Sequence, residues 1–382
     1  MEKKLKVLML IDKLAFGKSQ AERSVDNYAT NLTHNAEVVV ATLSLFDQVD
    51  KPYRIITASN VAKLYRILQK IKFDIIHIHS NTDLMALALR LGRESNIPVV
   101  ATIHSNAVAK YMSENTKLIA RSKIRKLINY YNQLDELFVS SPYVAEDLRE
   151  NGFKGKVSYL PLGSDLDAKE KKAELIKIAE HYFDLKHSDN VLISLGNVRK
   201  TKRIDFVIRS LKKLKDLGVE FKYFAIGGGE EIPNLRDLTH KLGLEKQVFL
   251  LGYTRDIVMN PLIARADLLL YPSTYDYYGL AKTECAGFAT AGVYIKDSFV
   301  ANEVFHDING FVSANNEEEY AKTIATALKS KKHLVEVSKN AYNDLFLTWD
   351  KCTTMLEDRL QGIVKEKNKL SKKIIKNDKK VK

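Results

Sequence analysis

The chain is built from short, almost wholly apolar runs that alternate with amphipathic stretches, and the alternation comes in two successive series. In the first series the apolar runs are Leu5–Ile11, Val38–Ala41, Ile75–His79, Val99–Ile103, Glu136–Val139 and Val157–Leu160. Runs this short that lack a polar face predict strands buried on both sides, as in a parallel sheet covered by helices. Ala21–Leu32, Asn60–Lys70, Thr82–Glu94 and Pro142–Asn151 supply the helices between them. A charged stretch, Asp165–Asp189, separates this series from a second one. There the strands are Val191–Leu195, Phe221–Ile226, Val248–Leu251, Asp267–Tyr271 and Val293–Ile295, with helices at Asp205–Leu217, Asn234–Lys241 and Lys282–Ala291. The expectation is an α/β protein of two doubly wound, Rossmann-like domains, residues 1–164 and 165–360. The Lys-rich remainder, 361–382, is expected to be a frayed, solvated tail. Open α/β sheets bind ligands beyond the carboxyl ends of their strands, so the active site is expected in a central cleft faced by both domains.

The longest apolar runs fall far short of the roughly 20 residues that span a bilayer. Asp12 and Lys13 interrupt the apolar run that follows the basic start of the chain, so no signal-peptide core is expected and the protein is placed in the cytoplasm. Cys285 and Cys352 have neither the number for a disulfide framework nor the pairing for a zinc site, and are expected to be packing residues. A formal net charge of +13 favours anionic partners, whether phosphates, acidic lipid or nucleic acid. The basic residues are spread along the chain with no groove-reading motif, so nucleic acid is not expected as a partner.

The segment Tyr271–Glu284 reads YPSTYDYYGLAKTE, with two carboxylates, Asp276 and Glu284, on a loop and on the helix that follows it. A nucleotide-sugar ligand needs acceptors for sugar and ribose hydroxyls and donors or cations for its diphosphate. A helix preceded by a glycine-containing loop offers such donors in its first backbone amides. On the residues alone, Asp276 also reads as an ordinary loop or capping acid. The segment resembles the signature of retaining glycosyltransferases of family four, in which two acids separated by seven other residues follow a strand ending in Pro-Ser. The resemblance runs to about Leu360 and implies the two-domain GT-B fold. It further implies that Asp276 holds hydroxyls of the donor sugar, that Glu284 reaches the ribose, and that Gly279 and Leu280 lie against the donor.

Further residues follow from the same resemblance. Gly196–Asp205, reading GNVRKTKRID, matches a strand end followed by a lysine before a helix. Lys202 is thereby the expected diphosphate contact. Asn197 stands where the family has arginine, and Arg199 is near enough in sequence to substitute. Lys200 and Arg203 read as a solvated basic patch. Gly227, first of three consecutive glycines, matches a turn after a strand, where glycine allows close backbone approach. Tyr253 matches the place where relatives touch the nucleobase, and His104 matches a histidine beside the donor sugar. His77 reads as a packed histidine, while His79 stays open between packing and function. Ser19 and Gln20 stand where relatives carry paired glycines over the phosphates, with Gly17 before them. Glu303, Asn309 and Gly310 read as structural.

The family implies front-face attack with retention, with His104, Asp276, Lys202 and Arg199 as the catalytic set, no bound metal and no cofactor beyond the nucleotide-sugar co-substrate, UDP-linked. For the acceptor, Thr116–Leu134 interleaves Leu118, Ile119, Ile124, Leu127 and Ile128 with Lys117, Arg121, Lys123, Arg125 and Lys126. Such a basic amphipathic helix suits an anionic membrane surface, and a core-facing helix with a solvated basic face fits the same pattern. The stretch His104–Tyr111 is similar to bacterial diacylglycerol glucosyltransferases, which implies a lipid or cell-envelope glycan acceptor at the inner face of the membrane. A catalytically silent protein that binds a nucleotide sugar or a partner remains the alternative.

Overall fold

A computed structural model describes residues 4–14, 20–46, 50–80, 83–104, 108, 111, 116–167, 170–274, 276 and 279–378. The chain divides into two compact units, Met1–Leu162 together with Trp349–Lys382, and Gly163–Thr348.

The first unit holds a seven-stranded sheet: β1 (Leu5–Leu14), β2 (Ala36–Leu45), β3 (Arg54–Thr57), β4 (Ile75–Ile78), β5 (Val99–Ile103), β6 (Glu136–Val139) and β7 (Val157–Tyr159). The order is β3-β2-β1-β4-β5-β6-β7 and every pairing is parallel. The order reverses between β1 and β4, the switch point where doubly wound sheets open toward ligands. Val7, Leu8, Met9 and Leu10 of β1 are fully buried, as a central parallel strand requires. The edge strand β3 escapes a reading by apolar runs because Arg54 and Thr57 are exposed and Ile56 alone is buried among its four residues.

The C-terminal segment departs from expectation. Instead of the second domain reaching residue 360 and a tail following, a single helix runs from Trp349 to Asp378 and belongs to the first unit. Trp349, Cys352, Leu356, Leu360 and Ile363 recur every three or four residues and form one buried stripe. Trp349 meets Tyr28 of helix Gln20–Leu32 edge to face, with ring centroids 5.3 Å apart. Beyond the stripe, Lys367 Nζ donates to Asp135 Oδ1 at 2.9 Å, so the lysines from 361 onward begin on a packed helix and not in a frayed coil.

The second unit holds a six-stranded parallel sheet: β8 (Val191–Leu195), β9 (Lys222–Ile226), β10 (Val248–Gly252), β11 (Leu268–Tyr271), β12 (Gly292–Ile295) and β13 (Phe311–Ser313). Its order, β10-β9-β8-β11-β12-β13, reverses between β8 and β11. Helices cover both faces. Val207, Leu211, Tyr320 and Ile324 pack on one. Leu262, Cys285, Phe288 and Phe346 pack on the other. Both cysteines are free and buried. No described helix is long and apolar enough to cross a membrane.

Candidate active site

At the switch point of the second unit, β8 ends at Leu195 and the chain turns through Gly196 into a short 3-10 turn, Lys200–Lys202. Arg203 closes that turn in the left-handed region, with φ 54°. Its guanidinium donates to Pro272 O at 3.1 Å and to Asn315 Oδ1 at 2.7 Å, tying the turn to the loop after β11. The half-buried Arg203 is therefore a clamp rather than part of a solvated patch, while Lys200 is exposed. The clamp brings Lys202 to the end of β11. Lys202 Nζ lies 2.6 Å from Asp276 Oδ2 and 3.1 Å from the Tyr271 hydroxyl. Tyr271 donates to the same oxygen, Asp276 Oδ2, at 2.5 Å. Burial, and after it the neighbouring Asp276 carboxylate, hold the Tyr271 phenol well above its usual range, so it is a neutral donor. Lys202 and Asp276 remain open to solvent, with side chains 25% and 28% exposed. A cavity of about 10 Å³, room for roughly one water, is lined by Gly196, Asn197, Lys202 and Tyr271.

The turns after β8, β9 and β10 meet beside this cluster. Gly227 has φ 141° and donates its N–H to Gly252 O at 2.9 Å. A Cβ there would stand 1.9 Å from Gly196 O, and one on Gly229 would stand 2.0 Å from Val198 O. Gly228 lies against the Tyr253 ring, where a Cβ would come within 2.4 Å of ring carbons. Gly227 and Gly229 are thus required by the close approach of neighbouring backbone, while Gly228 makes room for an exposed ring. Tyr253 stands 85% exposed on this platform.

On the other side of β11, Gly279 adopts φ 70° and caps the helix Leu280–Gly287. The first amides of that helix start at Leu280, just after the loop that carries Asp276. Glu284 lies one turn further on and is buried, with 9% exposure. Lys282, buried at 2%, pairs with Glu303 at 2.5 Å. Fully buried Asn309 bonds to Phe305 N, Glu303 O and Asp344 Oδ2. These contacts give Glu303 and Asn309 places in the framework. Arg199 and Asn197 are exposed in the turn after β8. Ser19 and Gly17 lie outside the described residues. Among the described residues no group of three or more His, Cys, Asp or Glu side chains is arranged to hold a metal ion.

In the first unit, β4 and β5 carry three histidines to their carboxyl ends. His77 Nε2 is 2.7 Å from Thr102 Oγ1, and His79 Nδ1 is 2.8 Å from His104 Nε2. The His77 and His79 rings lie 4.1 Å apart, and His79 stacks on His104 at 5.1 Å. The remaining nitrogens, His77 Nδ1, His79 Nε2 and His104 Nδ1, are closed from solvent and have no hydrogen-bond partner among the described residues. Burial pushes His77 down to about 3, with the nearby His104 adding to it, and pushes His104 down to about 4. Burial, then His77 and His104, holds His79 well below its usual range. Three packed imidazoles that cannot share positive charge make a neutral cluster, so His104 acts as a neutral hydrogen-bonding group.

The cluster has a consequence for stability. The unfolded chain takes up these protons near pH 6.5 and the folded chain only near pH 4 or below, so the unfolded state binds more protons across that window. The stability contributed by the neutral rings is full above about pH 6.5 and is lost as pH falls toward the folded values. Urea midpoints measured across this window should fall steadily, and His77→Phe should flatten the fall. A wild-type profile that stays level would contradict the neutral cluster.

Two residues of the site were not singled out from sequence. Tyr271 was read only as the end of a strand, although a tyrosine where a buried parallel strand would take an aliphatic residue was a usable signal. Arg203 was set aside as solvated, and its clamp depends on Asn315, more than a hundred positions away, which no local pattern reveals.

Comparison with known proteins accords with this geometry. The model of the family described as Glycosyltransferase Family 4 matches residues 21–168, and that of Glycosyl transferases group 1 matches residues 178–344. Among curated proteins, an alpha-monoglucosyldiacylglycerol synthase of Acholeplasma laidlawii is 21% identical, over 74% of this chain and 73% of its own. The UDP-Gal:alpha-D-GlcNAc-diphosphoundecaprenol alpha-1,3-galactosyltransferase of Escherichia coli is 25% identical, over 75% of this chain and 74% of its own. Among solved structures, Anabaena HepE in complex with UDP-glucose matches with a TM-score of 0.77 at 17% identity, covering 94% of this chain and all of that one. Two Rossmann-like units of this topology make the GT-B architecture, and with both halves matched the chain belongs to the glycosyltransferases that join a family 4 domain to a group 1 domain.

Proposed function

We propose that the protein is a retaining glycosyltransferase that moves a hexose from a UDP-linked donor to a lipid or cell-envelope glycan acceptor, working at the inner face of an anionic membrane. The observation that carries this reading is the partly exposed Lys202–Asp276 pair at the switch point of the second unit, beside a helix N-terminus and three glycine-built turns. Lys202 and the first amides of Leu280–Gly287 offer positive potential to a diphosphate, Asp276 offers an acceptor to sugar hydroxyls, and Glu284 offers one to the ribose. Gly279 and Leu280 present the start of that helix to the donor, Gly227 shapes the turn beside it, and Tyr253 flanks the base. In the reaction the acceptor oxygen attacks the anomeric carbon on the face from which the diphosphate leaves. The anomeric C–O bond to phosphate breaks as the new glycosidic bond forms, and the acceptor proton passes to a diphosphate oxygen. Lys202, with Arg199, stabilises the charge growing on the leaving group, while Asp276 orients the sugar.

The acceptor side draws on the first unit. Helix Lys117–Tyr131 buries Ala120, Ile124, Leu127, Ile128 and Tyr131, so most of its apolar stripe serves the core. Its first turn still exposes Leu118, at 81%, and Ile119 among Lys117, Arg121 and Lys123. A groove of about 660 Å³ beside it has Val108, Ile124 and Ile128 on its walls together with Arg121, Arg125 and Lys154. Apolar walls ringed by cations suit an anionic amphiphile. The names of the relatives, one a synthase of alpha-monoglucosyldiacylglycerol and one a galactosyltransferase acting on alpha-D-GlcNAc-diphosphoundecaprenol, agree with that chemistry.

The test has two stages. A thermal-shift screen of UDP-, GDP- and ADP-linked sugars should single out a UDP-hexose, since a ligand bound only by the folded state raises its melting temperature. Labelled donor with acidic liposomes should then yield a lipid-extractable product and show sedimentation of protein with the liposomes. No transfer from any donor would leave the silent alternative, and transfer to soluble sugars in preference to lipids would overturn the membrane acceptor.

A further inference from the structure

Lys202 and Asp276 do not meet alone. Tyr271, fixed at the end of β11 with 4% exposure, accepts from Lys202 Nζ and donates to Asp276. Both contacts to the carboxylate fall on one oxygen, Oδ2. Its other oxygen, Oδ1, is thereby turned away from the lysine. An ammonium has three donors, and two of them are directed to Tyr271 and Asp276. The Tyr271 ring also lies under the cation, with Nζ 5.3 Å from the ring centroid.

We propose that Tyr271 is a positioning residue of the donor site, whose hydroxyl fixes which oxygen of Asp276 faces the sugar and which donor of Lys202 is left for the diphosphate. The proposal rests on the reading of Lys202 and Asp276 as donor contacts. Without the hydroxyl, the contact to Asp276 that remains among the described residues is a lysine on a flexible stem. The carboxylate is then free to rotate and meet the ammonium with both oxygens, and Oδ1 loses its direction. The short side chain of Asp276 has little reach to spare from this loop, so the orientation of its carboxylate matters. Tyr271 thus sets the sugar-dependent part of donor recognition and leaves the nucleotide-dependent part to Lys202 and Glu284.

The discriminating variant is Tyr271→Phe, which retains the buried ring. Calorimetric titration with UDP and with UDP-glucose, together with kcat, separates the contributions. UDP affinity should stay within about threefold while kcat falls about tenfold, the scale of a lost hydrogen bond to a charged group. The preference for UDP-glucose over UDP should fall with kcat. Asp276→Asn should reproduce the loss, and the double variant should be no worse than either single one, because both act through the same oxygen. An unchanged kcat and preference would overturn the proposal, as would an equal weakening of UDP and UDP-glucose, which marks mere structural support. Lys202→Ala and Glu284→Ala keep the two levels apart. If they abolish donor binding while Tyr271→Phe changes nothing, only the positioning role falls. If they leave donor binding intact, the donor site itself is wrong.

Discussion

Alanine at Lys202 is expected to cut transfer by about 10²–10³ in kcat, the cost of removing one preorganised group that stabilises transition-state charge. Lys202 is held at the strand ends from two directions, through the Arg203 clamp on Pro272 O and through its own bonds to Tyr271 and Asp276. It is therefore ordered before any substrate arrives, which is the condition for a large catalytic effect. Its loss removes a positive charge from the diphosphate position and leaves Asp276, with Tyr271 still donating to it, to repel the same group. Both changes act on the leaving group, so the rate at saturating donor should fall along with affinity for the nucleoside diphosphate. The fold should not suffer, because the Lys202 side chain is about a quarter exposed and its ion pair is of the kind that contributes little to stability. Initial rates, diphosphate titration and a melting curve on one preparation check all three statements. A variant that melts normally and transfers sugar within a few-fold of wild type would remove Lys202 from the mechanism.

The fold was largely legible because parallel strands buried on both faces leave uninterrupted apolar runs, as in Val7–Leu10 and Leu268–Tyr271. The strands that escaped are short ones at sheet edges: β3, whose ends Arg54 and Thr57 meet solvent, and β13, whose three residues are too few to stand out as a run. The glycines after β9 were also legible as a turn. The severity of their requirement was not, since the atoms they would strike belong to Gly196, Val198 and Tyr253 on neighbouring turns. The Lys202–Asp276 pair illustrates the same limit. Each residue stands out by its own motif, but no local pattern shows that the two motifs converge on Tyr271. Side chains 69 to 74 positions apart become neighbours only through the parallel pairing of β8 with β11. The three histidines were read one by one for the same reason, whereas their neutrality is a property of the group.

The largest misreading, the C-terminal segment, leads to the largest expected effect on stability. A lysine-rich ending invites the reading of a solvated tail, but charge density says nothing about the stripe Trp349, Cys352, Leu356, Leu360 and Ile363, which begins before the lysines do. The helix is anchored by Glu136, a carboxylate only 2% exposed on β6. Arg359 Nε donates to Glu136 Oε1 at 2.7 Å, its Nη2 donates to Oε2, and Ser158 Oγ donates to Oε1 as well. Arg359→Ala strands that carboxylate in the interior of the first unit. Breaking a buried pair in this way costs about 3–5 kcal/mol, and because Arg359 is itself 32% exposed the lower end applies. For a unit of this size roughly 3 kcal/mol lowers the melting temperature by about 6–12 °C. In a calorimetric scan the shift should be confined to the transition of the unit that contains the seven-stranded sheet. Pairing Arg359→Met with Glu136→Gln should recover most of the loss, since a buried ion pair replaced on both sides is often near neutral. Ending the chain at Thr348 should go further, because it removes the whole apolar stripe from beside Tyr28, and the first unit should then fail to show a cooperative transition. If Arg359→Ala instead shifted only the second unit, or the chain ending at Thr348 melted as two intact units, the C-terminal helix would not be the structural part of the first unit that its packing indicates.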